Sequence, residues 1–163
     1  MGIRFSAGEV LAVAEQIERN GATFYEAAAE QAVTAEVQKM LRDLSQWESG
    51  HQALFASMRE QLSDREREAV TYDPDDQLAG YLSAVADTQV FSRARTGADL
   101  LGGQQDEAAM IRKAIALEHE SIAFYMSMRP LVPPRLGQAH LDTVVLEEYG
   151  HVAQLTARLA AVR

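Results

Sequence analysis

The chain has 163 residues, 47% of them apolar, which is enough to fold and to bury a core as one domain. Its 24 acidic and 15 basic residues leave a net charge of −9, which argues against nucleic acid or an anionic membrane as a partner. With no cysteine, it has no disulfides, no thiolate-bound zinc and no iron–sulfur cluster.

Ser6 and Glu9 form a capping-box pattern that opens a helix running to about Gln31. Val10, Val13, Ile17, Gly21, Phe24 and Ala28 make its inward seam, in alternating steps of three and four. Thr34 is a plausible cap for a second helix, to about Arg59, whose seam runs Val37, Leu41, Leu44, Glu48, His51, Phe55 and Met58. A charged stretch follows, broken most clearly at Tyr72 to Asp76. Leu78, Tyr81, Leu82, Val85, Ala86 and Phe91 then suggest a shorter amphipathic helix, ended by the glycines at 97, 102 and 103. A third long helix begins near Asp106, carries Ile111, Ile115, Glu118, Ile122, Tyr125 and Met128, and stops at Pro130. After Pro133 and Pro134 a fourth runs to the end, with Leu141, Val144, Glu148, His151, Leu155 and Val162 on one face.

The expected fold is therefore all-α: a four-helix bundle of two hairpins, 6–59 and 105–162, within a single domain 1–163. A long crossover, 60–104, joins them and carries its own short helix. No apolar region follows Arg4 as in a signal peptide, and no run approaches the roughly 20 apolar residues of a membrane span. A cytoplasmic location is the expectation.

The two hairpins repeat one another. Between 14–53 and 114–153, 10 of 40 positions are identical. Six of these ten are Glu18, Phe24, Tyr25, Glu48, Gly50 and His51, matched by Glu118, Phe124, Tyr125, Glu148, Gly150 and His151. Each copy thus holds a lone Glu and a Glu-x-x-His. Residues three apart on a helix are neighbours, so Glu48 with His51, and Glu148 with His151, can converge on one ion. Both pairs interrupt the apolar stripe of their helices, where an uncompensated carboxylate is very costly. The inward stripes contain no Lys or Arg, so two cations are the economical counter-charge. They would cancel four of the negative charges, leaving about −5.

By the twofold logic each ion receives one lone Glu, Glu18 or Glu118, and one His, while Glu48 and Glu148 bridge. Carboxylates with one imidazole per ion suit two iron ions, or manganese or mixed occupancy, better than copper or structural zinc. The competing reading is a metal-free ion-pair network, which would keep surplus negative charge. Tyr25 and Tyr125 admit two roles: orienting a ligand carboxylate by hydrogen bonding, or serving as core aromatics with a polar tip. Glu147 stands four residues before His151, but its counterpart is Trp47, so the repeat favours Glu148 as ligand. His119 and His140 have no repeat partner and are expected to face solvent.

The segments 14–25 and 47–51, with their second-half counterparts, resemble the ferritin-like superfamily, and within it stand-alone rubrerythrin-like proteins. The resemblance covers the four long helices and implies that Glu18, Glu48, His51, Glu118, Glu148 and His151 ligate a di-iron centre. It implies reduction of peroxide or dioxygen in oxidative-stress defence, with ferroxidase activity or iron storage as the alternative. A homodimer is expected from the crossover helix, whose Tyr81, Leu82, Val85 and Phe91 give it more apolar surface than a free linker needs, so that it packs across a partner or else caps the bundle. Since the cysteines of a rubredoxin domain are absent, electrons are expected from a separate donor protein. Two departures stand out. Ser121 occupies the position of an extra Glu in typical rubrerythrins, and the chain runs 12 residues past His151, short of bacterioferritin's fifth helix.

Overall fold

A computed structural model of the chain describes residues 6–68, 77, 80–81 and 106–162. The first helix, α1 (Ala7–Gln31), starts where the capping box predicts. The Glu9 carboxylate accepts from the Ser6 amide at 2.8 Å, and the Ser6 hydroxyl accepts from the Glu9 amide at 3.3 Å. Thr34 caps α2 (Ala35–Glu60) by accepting from the Val37 amide at 3.3 Å. Asp106 caps α4 (Glu107–Met128), accepting from the Ala109 amide at 2.7 Å. Between them lies α3 (Asp64–Glu68), inside the charged stretch. A second Ser-x-x-Glu signal accounts for it, because the Glu66 carboxylate accepts from the Ser63 amide at 2.9 Å.

Pro130 has no amide hydrogen to donate, and α4 ends two residues before it in a 3-10 turn, Arg129–Leu131. The last helix, α5 (Gln138–Ala161), begins later than the proline pair suggests. A second 3-10 turn, Pro134–Leu136, intervenes, and Gly137 enters the helix at φ +88°, a conformation that side chains resist. Gln77, Gly80 and Tyr81 are helical; the rest of the expected crossover helix lies outside the described residues.

Helix α1 packs along α2 and α4 along α5, with α1 also meeting α4, so the two hairpins form one four-helix bundle. Polar ties hold the hairpins in register at the bundle ends. The Glu107 carboxylate accepts from the amides of Val33 and Thr34, at 2.6 and 2.9 Å. Arg158 pairs with Glu36 at 2.9 Å, and within the second hairpin Arg129 clasps Asp142 through two hydrogen bonds, at 2.6 and 2.9 Å.

The buried apolar residues fall into two clusters. One gathers Leu11, Phe55, Phe124, Tyr125, Met128 and Leu141; the other Phe24, Tyr25, Leu41, Leu44, Ile111 and Leu155. The Glu and His residues of the repeat stand at mid-helix and are themselves buried. Apolar packing on both sides keeps them from water.

Candidate metal centre

Each of α1 and α4 contributes a lone carboxylate at its middle, Glu18 and Glu118, and each of α2 and α5 a Glu-x-x-His. All six side chains are buried; the most accessible, His151, is 6% exposed. They gather into two groups, Glu18–Glu48–His51–Glu148 and Glu48–Glu118–Glu148–His151. Within each group the ligand-type atoms lie no more than 4.8 Å apart. Glu48 and Glu148 belong to both. Both imidazoles turn Nδ1 inward: His51 Nδ1 is 3.0 Å from Glu148, 3.6 Å from Glu18 and 3.9 Å from Glu48. His151 Nδ1 is 2.8 Å from Glu148, 3.6 Å from Glu48 and 3.7 Å from Glu118. The imidazole rings stand 6.0 Å apart.

Several of these atoms are buried without a hydrogen-bond partner among the described residues: Glu18 Oε2, Glu48 Oε1, Glu148 Oε1 and His51 Nδ1. Buried polar atoms are almost always satisfied, so four orphans converging on one place are donors with nothing to bind. The protonation states tell the same story. Burial pushes Glu18 up to about 8 and Glu118 up to about 7, against an ordinary 4.5, with neighbouring carboxylates adding to the effect. Glu48 is also raised well above the carboxylate range, by burial and by Glu18. Burial likewise opposes ionisation of Glu148, but the His151 imidazole hydrogen-bonded to it and the His51 imidazole beside it outweigh that and hold this carboxyl at about 2. Burial disfavours charge on the imidazoles too, yet the carboxylates around them lift His51 to about 9 and His151 to about 10. Without cations, the cluster must retain protons to survive burial. The residues present fit a pair of divalent ions, which would replace those protons and satisfy the orphan atoms.

The surroundings are crossed between the copies. The Tyr25 hydroxyl donates to Glu118 Oε1, and the Tyr125 hydroxyl donates to Glu18 Oε1. Both tyrosines are buried aromatics, and their polar tips reach the lone carboxylates. Glu147 is not beside His151, four residues away on its own helix, but across the bundle at 2.8 Å from His51 Nε2. Helical spacing alone could not reveal that pairing; its one trace in the sequence is the mismatch of Trp47 with Glu147. Gly21 has a spatial reason: a Cβ there would meet Glu48 Cγ at 3.3 Å, so glycine lets that carboxylate lie close to α1. Ser121 turns back on its helix, its hydroxyl donating to the Leu117 carbonyl at 3.1 Å. His119 and His140 are exposed, as their lack of a repeat partner predicts. A cleft of about 550 Å³ between α2 and α5, lined by Trp47, Gly50, His51, Leu54, Val144 and Glu147 among others, opens toward the His51 side.

Comparison with solved structures finds a protein from Thermotoga maritima, described as a candidate ferritin-like diiron-carboxylate protein. The two superpose with a TM-score of 0.71 over 100% of both chains, at 19% sequence identity. The fold is ferritin-like. No protein-family model matches this chain, and no curated protein does. At that identity the likeness speaks for the bundle and its topology, and the chemistry has to be argued from this chain's own side chains. Among the described residues no helix is long and apolar enough to cross a membrane.

Proposed function

We propose that this protein is a di-iron carboxylate oxidoreductase that reduces peroxide or dioxygen in oxidative-stress defence. The observation that carries the reading is the double donor set: four buried carboxylates and two imidazoles in two groups that share Glu48 and Glu148. Glu18 and His51 would hold one ion, Glu118 and His151 the other, and Glu48 and Glu148 would bridge. A bound pair of ferrous ions supplies the two electrons that reduction of peroxide to water consumes, which iron or manganese can do and zinc cannot.

The chain's own residues would then do three things. Tyr25 and Tyr125 hold the lone carboxylates Glu118 and Glu18 by Oε1, and at Glu18 this leaves the unpartnered Oε2 free to ligate. The apolar clusters above and below keep bulk water from the centre. The α2–α5 cleft brings a small oxidant to the His51 side, where Glu147 stands half-exposed and within reach of solvent protons. Electrons return from a separate donor protein.

Anaerobic protein loaded with two ferrous equivalents, mixed with peroxide in a stopped-flow instrument, tests this. The expected result is ferrous oxidation at least about tenfold faster than that of free ferrous ion, a gain of roughly 1.4 kcal/mol or more in the barrier. Oxidation at the free-ion rate removes the enzymatic reading. Retention of many ferric ions per chain would instead favour iron storage.

A further inference from the structure

The repeat is matched at every proposed ligand, but not at the residue preceding each Glu-x-x-His. There the first copy has Trp47 and the second Glu147. Because the copies face each other crosswise, this mismatch falls on the imidazoles. His51 Nε2–H donates to Glu147 Oε2 at 2.8 Å. The indole of Trp47 stands near both imidazoles, with centroids 6.2 Å from His151 and 6.5 Å from His51, and indole has a donor but no acceptor, so it cannot do for His151 what Glu147 does for His51. Among the described residues every ion-pair contact of His151 is made by Nδ1, so no carboxylate backs its Nε2.

We propose that Glu147 makes the two ion positions unequal: by holding His51, it makes the Glu18–His51 position the tighter, first-filled one. The inference rests on the di-metal reading above and concerns a positioning residue, not a further ligand. A carboxylate on Nε2–H fixes the tautomer that presents the Nδ1 lone pair inward. It also holds the ring plane before an ion arrives and makes the imidazole a stronger donor. Partners of this kind are worth about 10–100-fold in metal affinity. His151 has none, so its ring is held only through Nδ1, by the carboxylates that an ion would itself engage, and the Glu118–His151 position exchanges more readily. Glu147 lies on the wall of the cleft with its side chain 36% exposed, so replacing it leaves the packed bundle intact.

The test is anaerobic titration of the metal-free protein with Co(II), read by the visible absorbance of the bound ion and by calorimetry, with helicity checked by circular dichroism. His151→Ala leaves the His51 position and His51→Ala leaves the other. The first is expected to bind one Co(II) about 10–100-fold more tightly. Adding Glu147→Ala to His151→Ala abolishes that advantage, and Glu147→Gln, which keeps an acceptor without the charge, falls between. Adding Trp47→Glu to His51→Ala tightens the remaining position. With both histidines intact, Glu147→Ala weakens the first ion about 10–100-fold and leaves the second within about twofold. Equal affinity of the two single-histidine variants, or insensitivity of the first ion to Glu147→Ala, overturns the proposal while two bound ions leave the di-metal reading standing. Failure of the unaltered protein to bind Co(II) at all overturns both.

Discussion

Tyr25 and Tyr125 donate to the lone carboxylate of the opposite copy, so each hairpin completes the polar centre of the other. Removing one hydroxyl leaves a buried carboxylate oxygen without its donor, a loss of about 1–3 kcal/mol. Tyr125→Phe is therefore expected to lower the unfolding free energy of the metal-free protein, read from its urea titration, by that amount. It should also free Glu18, so that ion uptake becomes looser without being lost. Unchanged stability in the urea titration would mean that the hydroxyl contact does not exist in solution. At this scale the sequence is partly legible. That Glu18, Glu48, His51 and their counterparts belong together follows from their shared spacing on helical seams. Which tyrosine serves which carboxylate does not, because spacing along a helix says nothing about what lies across the bundle.

Among the elements, α1, α2 and α4 begin where Ser6, Thr34 and Asp106 direct, since capping is a local hydrogen-bond exchange that three or four residues contain entirely. Helix α3 was readable in the same way from Ser63 and Glu66, but its five residues are too few to show a seam. Helix α5 departs furthest from expectation, because its start is set by backbone conformation at Gly137. Gly137→Ala places a side chain at φ +88°, with a Cβ only 2.4 Å from His140 Cδ2. A left-handed residue costs about 1–2 kcal/mol, and denaturant unfolding should show a loss of that size. Adding His140→Ala relieves only the crowding, so most of the loss should persist. Full recovery would place the cost in the contact and not in the backbone.

For the whole molecule, the stored consequence of burying four carboxylates is a pH dependence of stability that cations erase. Glu18 titrates at about 8 and Glu118 at about 7 in the folded state, above their ordinary 4.5. From about pH 4.5 to 8 the unfolded chain therefore gives up protons that the folded chain keeps, and stability falls as pH rises. His51, at about 9, and His151, at about 10, lie above their ordinary 6.5, and their contribution is full below that value and lost on the way up. Glu148, at about 2, has the opposite sign, but its window closes by its ordinary 4.5. The Tm of metal-free protein should thus decline steadily from pH 5 to 9. Excess Mn(II) should raise the Tm most at the alkaline end, because each ion replaces protons. A flat profile without metal, or equal stabilisation by Mn(II) at pH 5 and 9, would contradict the burial of these charges.

Taken alone, the sequence determined that the chain is helical, that it is built of two like hairpins, and that Glu48, His51, Glu118, Glu148 and His151 interrupt the apolar seams, with Glu18 joined to them by the repeat. Those are properties of periodicity and of local capping, and they need no partner in space. Only the tertiary structure decided that Tyr25 and Tyr125 serve opposite copies, that Glu147 backs His51 while no carboxylate backs His151 Nε2 among the described residues, and that Gly21 admits Glu48. Each of those depends on how one helix faces another across the bundle. That relation is set by the packing of apolar faces and not by the spacing of residues along any single helix.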